Sequence, residues 1–93
     1  MEIIHEQKEN KGAFIAMSDG KKAGEMTYSK AGDDKIIIDH TEVDETFGGQ
    51  GVGKKLVLEA VKFARENHIK ILPLCPFAKA TFQKDASLQD VLA

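Results

Sequence analysis

The sequence predicts an α/β (α+β) fold: an antiparallel four-strand meander extended by one parallel strand, in the order β-β-β-β-α-β-α. Three observations carry this. Short apolar runs separated by turn residues fill the first 41 positions, as a meander requires. From Gln50 to His68 the apolar period lengthens to that of a helix. A further apolar run follows that helix, and a strand-helix-strand connection within one sheet is right-handed and parallel.

The first two runs, Ile3 to Gln7 and Ala13 to Met17, are joined by Lys8-Glu9-Asn10-Lys11-Gly12, a hairpin-like connection. Asp19-Gly20 is a stronger turn signal and leads into Lys22 to Ser29, with Ala23, Met26 and Tyr28 among polar neighbours. The turn cluster Lys30 to Asp34 then precedes Lys35 to Thr41. Its unbroken Ile36-Ile37-Ile38 predicts a central strand covered on both faces. In the helix, Val52, Leu56, Val57, Ala60, Val61 and Ala64 form one stripe. Arg65 and His68 suit the negative end of its dipole, and Asn67 is the expected stop. Ile69 to Leu74, bounded by Pro73 and Pro76, reads as the last strand; Phe77 to Asp85 and Ser87 to Leu92 read as short helices.

With 93 residues, the chain has the length of one domain, residues 1–93, with one thin core. Fifteen acidic against 13 basic residues give a net charge of −2, which argues against a general binder of phosphate backbones. A lone cysteine, Cys75, has no internal disulfide partner and fits a reducing cytoplasm. No stretch approaches the ~20 apolar residues of a membrane span, and the N-terminus has no leader pattern. Neither a nucleic acid nor a membrane is therefore an expected partner.

Chemistry concentrates in Gly48-Gly49-Gln50-Gly51-Val52-Gly53-Lys54-Lys55, between the fourth strand and the long helix. Four glycines in six positions remove β-carbons where a ligand would approach the backbone, and the unpaired N–H groups of the helix start point into that space. Lys54 and Lys55 add positive charge, so the pattern favours a phosphate or pyrophosphate. The plainer alternative is a tight turn that allows close packing. A phosphate-binding G-x-x-x-x-G-K-[ST] loop fails at Lys55, where a hydroxyl should hold Mg²⁺. A dinucleotide fingerprint fails on its glycine spacing and on the antiparallel strands before it.

The remaining pattern, [Q/R]-x-x-G-x-[G/A] after an antiparallel meander, resembles the GCN5-related N-acetyltransferase superfamily, with Gly51 and Gly53 in the two required positions. Together with Asp39-His40-Thr41-Glu42-Val43 and Pro73-Leu74-Cys75-Pro76-Phe77-Ala78 with Phe82, the chain is similar to the small single-domain members over essentially its whole length. Gly48 departs from the Arg or Gln of larger members. The resemblance implies acetyl-CoA as cosubstrate, with its pyrophosphate on the N–H groups from Gln50 to Lys55. It also implies that the pantetheine enters a wedge between the Ile36 to Val43 and Ile69 to Cys75 strands. There its amides would pair with the backbone of Thr41, Glu42 and Val43 in the manner of an added strand. The implied cofactor-binding set is Thr41, Glu42, Val43, Gly48, Gly49, Gln50, Gly51, Val52, Gly53, Lys54 and Lys55.

Amine acetylation needs a base for the amine and an acid for the leaving thiolate. Larger relatives place a tyrosine acid after the last core strand. Here Phe77 and Phe82 lack a hydroxyl, and the only tyrosine, Tyr28, is on an early strand. Cys75 is the nearest replacement by position, as proton donor or as acetylated nucleophile, against the plainer reading of a buried core thiol. His40 is the base candidate, with Glu42 second, against the plainer reading of strand residues facing solvent. His5 and His68 have no neighbours at metal-ligand spacing, and no metal is expected. The expected function is N-acetyl transfer to an amine of unspecified acceptor. The alternative is a non-catalytic acyl-CoA-binding or sensing module, and a third reading leaves the glycine loop as architecture.

Overall fold

Two consecutive left-handed residues, Asp19 (φ 51°) and Gly20 (φ 79°), turn β2 (Lys11–Ser18) back onto β3 (Lys21–Lys30). Positive φ at both loop positions matches the right-handed twist of the flanking strands. The computed structural model describes every residue, Met1–Ala93. β1 (Glu2–Gln7) pairs antiparallel with β2, and β3 pairs antiparallel with β4 (Lys35–Val43). A 3₁₀ turn at Glu45–Phe47, capped by the Asp44 carboxylate on the Thr46 N–H, leads into α1 (Val52–Asn67). β5 (Lys70–Pro73) then joins β4 in parallel, followed by α2 (Pro76–Lys84) and a 3₁₀ helix at Ala86–Val91. The sheet order is β1-β2-β3-β4-β5: the expected meander plus one parallel strand.

One face of this sheet is covered. Phe14, Met26, Tyr28, Ile36 and Ile38 are fully buried with Leu56, Val57, Ala60 and Val61 of α1 and Phe82 of α2 in one core. Two expectations therefore change. β4 is fourth of five strands, and β3 is the middle one. Ile37 is only half-buried, because it lies on the face that no helix covers. An apolar run alone does not distinguish a strand buried on both faces from one whose outward residue borders open solvent.

Helix ends also differ from the sequence reading. Gly51 (φ 70°) is the N-cap of α1, so the helix starts at Val52, inside the glycine-rich segment, rather than at Gln50. Its stop is His68 (φ 55°), whose N–H bonds to the Ala64 carbonyl; Asn67 is still helical, and its side chain donates to the Phe63 carbonyl. The last expected helix is 3₁₀, entered through the Asp85 carboxylate bound to the Ser87 N–H.

Position 39 of β4 breaks the register. Thr27 opposes His40 while Tyr28 opposes Ile38, so Asp39 is an extra residue on β4, a β-bulge. Strand alternation reverses there. Ile36 and Ile38 point into the core before the bulge; after it Thr41 and Val43 oppose the buried Met26 and Gly24, while His40 and Glu42 oppose Thr27 and Glu25 on the uncovered face.

Candidate functional site

The glycine loop presents a row of backbone donors. The N–H groups of Gly49, Gly51, Val52, Gly53 and Lys54 have no partner in the protein, whereas Gln50 donates to the Phe47 carbonyl at 3.4 Å and Lys55 to Gly51 at 3.0 Å. The first turn of any helix leaves such groups free; here the loop extends the row by left-handed residues. A β-carbon on Gly49 (φ 81°) or Gly51 (φ 70°) would meet nothing within 4 Å, so the backbone there borders open space. Gly53 is different: a β-carbon would lie 2.4 Å from the Phe77 ring, so this glycine lets α2 approach α1. Gly48 has ordinary φ and caps the preceding turn through its own N–H to Glu45. Lys54 and Lys55 are exposed beside the donors.

Next to this cradle the sheet opens. β4 and β5 pair only from Lys35↔Lys70 to Ile38↔Pro73. Pro73 ends the strand without an N–H to donate. Leu74 and Cys75 both donate to the Ile38 carbonyl, and the chain then turns into α2 at Pro76. Beyond Ile38, the β5-facing edge of β4 has no strand partner, and this edge carries Thr41, Glu42 and Val43. The unpaired edge lies at the expected wedge, and it is left by β5 ending at Pro73, short of the expected Cys75. Gly24 was not singled out by sequence, yet it lets the helix abut this edge: a β-carbon there would lie 2.9 Å from the Glu42 carbonyl oxygen and from Val52. A lone glycine inside a strand-like run was the available signal.

Cys75 closes the inner end of the wedge. It is the N-cap of α2, is 5% exposed, and its thiol donates to the Thr41 hydroxyl at 3.3 Å. Burial pushes the thiol up, but once it ionises the Thr41 hydroxyl can turn to donate to the sulfur alongside the N–H groups of Ala78, Phe77 and Thr41, and these bonds outweigh burial, so the pKa lies below the ordinary cysteine value. Helix N-termini favour thiolates for this reason. Phe82 is fully buried in the core, and Phe77, 44% exposed, packs its ring against Gly53; neither carries a proton to give.

His40 lies elsewhere. The structure does not bring it to Cys75: it is exposed on the uncovered face, with Nε2 3.5 Å from the Glu42 carboxylate. Thiol and imidazole therefore flank β4 from opposite faces. The same face holds a cleft of about 340 Å³ lined by Glu6, Lys11, Ala13, Glu25, Thr27 and Asp39, among others. Asp39 stands in the sequence within the Asp39 to Val43 segment with no role assigned; here its carboxylate accepts from Thr27 Oγ1 and Ser29 Oγ. No three His, Cys, Asp or Glu side chains are grouped to hold a metal ion, and no helix is long and apolar enough to cross a membrane.

A family model described as GCN5-related N-acetyl-transferase matches residues 13–91. The chain is similar to the solution NMR structure of a candidate GCN5-like N-acetyltransferase from Staphylococcus aureus. The TM-score is 0.71 and the identity 42%, over 97% of this chain and 87% of the other. A candidate streptothricin acetyltransferase of Bacillus anthracis str. Ames, solved in complex with acetyl coenzyme A, matches with TM-score 0.63 and 25% identity over 83% of this chain and 47% of its own. Ribosomal-protein-alanine N-acetyltransferase from Brucella melitensis biovar Abortus 2308 shares the fold, with TM-score 0.72 at 20% identity over 83% of this chain and 62% of its own. No match was found among curated proteins.

Proposed function

The chain belongs to the GCN5-related N-acetyltransferase family and is an acetyl-CoA-dependent N-acetyltransferase, and we propose that residues 1–93 act as one such domain in which the glycine loop and the β4 edge hold the cosubstrate. One observation carries this reading: five unpartnered N–H groups at the start of α1 lie beside a strand edge left unpaired beyond Ile38. The cradle fits an anion, because backbone donors and the helix dipole converge on space that a β-carbon at Gly49 or Gly51 would enter. The pyrophosphate belongs there, with Lys54 and Lys55 as point charges, and Gly48, Gln50 and Val52 shaping the loop. The β4 edge at Thr41, Glu42 and Val43 receives the pantetheine amides by strand addition.

His40, oriented by Glu42, takes the proton from an amine arriving on the uncovered face. The amine nitrogen bonds to the thioester carbonyl carbon, the carbon–sulfur bond breaks, and the departing CoA thiolate receives a proton from the Cys75 thiol across the wedge. A second reading is favoured by the lowered Cys75 pKa: the Cys75 thiolate attacks first, releases CoA as the thiolate and passes the acetyl group to the amine. The acceptor is an amine of a small molecule or of a polypeptide. With its lone thiol and negative net charge, the protein is proposed to work in the cytoplasm without nucleic-acid or membrane partners.

Cys75→Ser and His40→Gln test the assignment. Turnover on a panel of lysine peptides and small amines should fall at least tenfold in each, with acetyl-CoA affinity within about twofold. An acetyl adduct on Cys75 in the absence of acceptor would select the second reading. Binding without turnover in the wild type would leave a CoA-binding module instead.

A further inference from the structure

Asp39 has no part in the scheme above, yet it lies where β4 changes phase. In an unbulged strand His40 would point into the core and Thr41 outward, burying an imidazole without a partner and parting Thr41 from Cys75. With one residue inserted, Thr41 turns under the wedge within 3.3 Å of Cys75 and His40 turns outward. Something must hold a two-against-one step in preference to a regular ladder. The Asp39 carboxylate does so: Oδ1 accepts from Thr27 Oγ1 at 2.5 Å and Oδ2 from Ser29 Oγ at 3.2 Å. Thr27 and Ser29 oppose His40 and Ile37, so one carboxylate spans the irregular step on both sides.

We propose that Asp39 is a positioning residue: bridging Thr27 and Ser29, it pins the β4 bulge that aims Thr41 at Cys75 and frees the edge from Thr41 to Val43. The second consequence rests on the cosubstrate reading given above; the first does not. A hydroxyl-carboxylate pair is suited to the task because its two acceptors match two donors two residues apart on one strand face.

The test compares Asp39→Ala with Asp39→Asn. The amide of Asn accepts from one hydroxyl and donates to the other, so it keeps the bridge while removing the charge. Three readouts are taken: the pH midpoint of Cys75 alkylation by iodoacetamide, the amide chemical shifts of His40 to Val43, and the acetyl-CoA dissociation constant by calorimetry. Asp39→Ala should raise the alkylation midpoint, because the thiol loses Thr41, move the four amide signals, and weaken acetyl-CoA binding roughly three- to tenfold, the worth of about one hydrogen bond. Asp39→Asn should stay near wild type in all three. A folded Asp39→Ala protein with wild-type midpoint and shifts overturns the proposal, as does an Asn variant that matches Ala. If Asp39→Ala does not fold, Thr27→Val, which removes one arm of the bridge, decides on the same readouts. Absence of acetyl-CoA binding by the wild type would defeat the cosubstrate reading instead, and the alkylation midpoint and amide shifts would still judge the pin.

Discussion

The two faces of the sheet are built to different standards. On the covered face Phe14, Met26, Tyr28, Ile36 and Ile38 are buried, and the polar groups among them are matched: the half-buried His5 has Nε2 2.6 Å from the Tyr28 hydroxyl, stacks on Phe14 at 4.1 Å and meets Phe63 edge-on. On the uncovered face, beside half-buried Ile15 and Ile37, Thr27 meets Asp39, His40 meets Glu42, and Glu25 pairs with Lys22. Stability therefore resides on one face, and the proposed amine approach is on the other. Thr41 and Cys75 sit at the boundary, where β4 crosses from one regime to the other.

Substitutions should separate the faces. The largest stability effect is expected on the covered side at Gly12, where an added β-carbon would lie 2.3 Å from the Tyr28 ring. Gly12→Ala should cost about 1–3 kcal/mol by overpacking, read as a lower midpoint in urea. An unchanged midpoint would mean that the aromatic cluster is looser than the covered face requires. On the uncovered side, His40→Gln, offered above for its effect on turnover, should leave that midpoint within about 0.5 kcal/mol.

A smaller effect sharpens the same contrast through pH. Burial lowers the His5 pKa below 6.5, against the opposing pull of Glu59, so the folded protein binds this proton less readily than the unfolded chain. Its contribution is complete above the ordinary histidine value and is lost as pH falls through the lowered folded value, with a slope below ~1.4 kcal/mol per pH unit. Asp85 and Asp90, held low by hydrogen bonds from Ser87 and Arg65, act in the same direction but at lower pH. His5→Phe should flatten the slope below pH 6.5; an unchanged slope there would remove His5 from the account.

What the sequence disclosed was local. Asp19-Gly20 and the Val52 to Ala64 stripe each carry their signal within a few residues, and both emerged as read; the glycine loop was legible as a loop before the long helix, though Gly53 proved to serve packing against Phe77. What it concealed depends on residues distant along the chain. Cys75 meets Thr41 across 34 positions, Gly53 is set by the Phe77 ring, and Gly12 by Tyr28. The bulge is the most consequential case: an extra residue at Asp39 reverses the facing of every later β4 side chain, and only pairing with β3 reveals it. That is why His40 and Cys75, both legible as reactive residues, emerged on opposite faces.

The account rests most heavily on the anion cradle at the start of α1, and titration of acetyl-CoA and free CoA into the wild type and Gly51→Glu tests it most directly. The substitution puts an L-residue at φ 70°, at a cost of roughly 1–2 kcal/mol, and a carboxylate among donors meant for phosphate. Saturable wild-type binding that weakens at least about thirtyfold in a folded Gly51→Glu protein is the expected result. No saturable binding at millimolar ligand, or equal binding by both proteins, would contradict it.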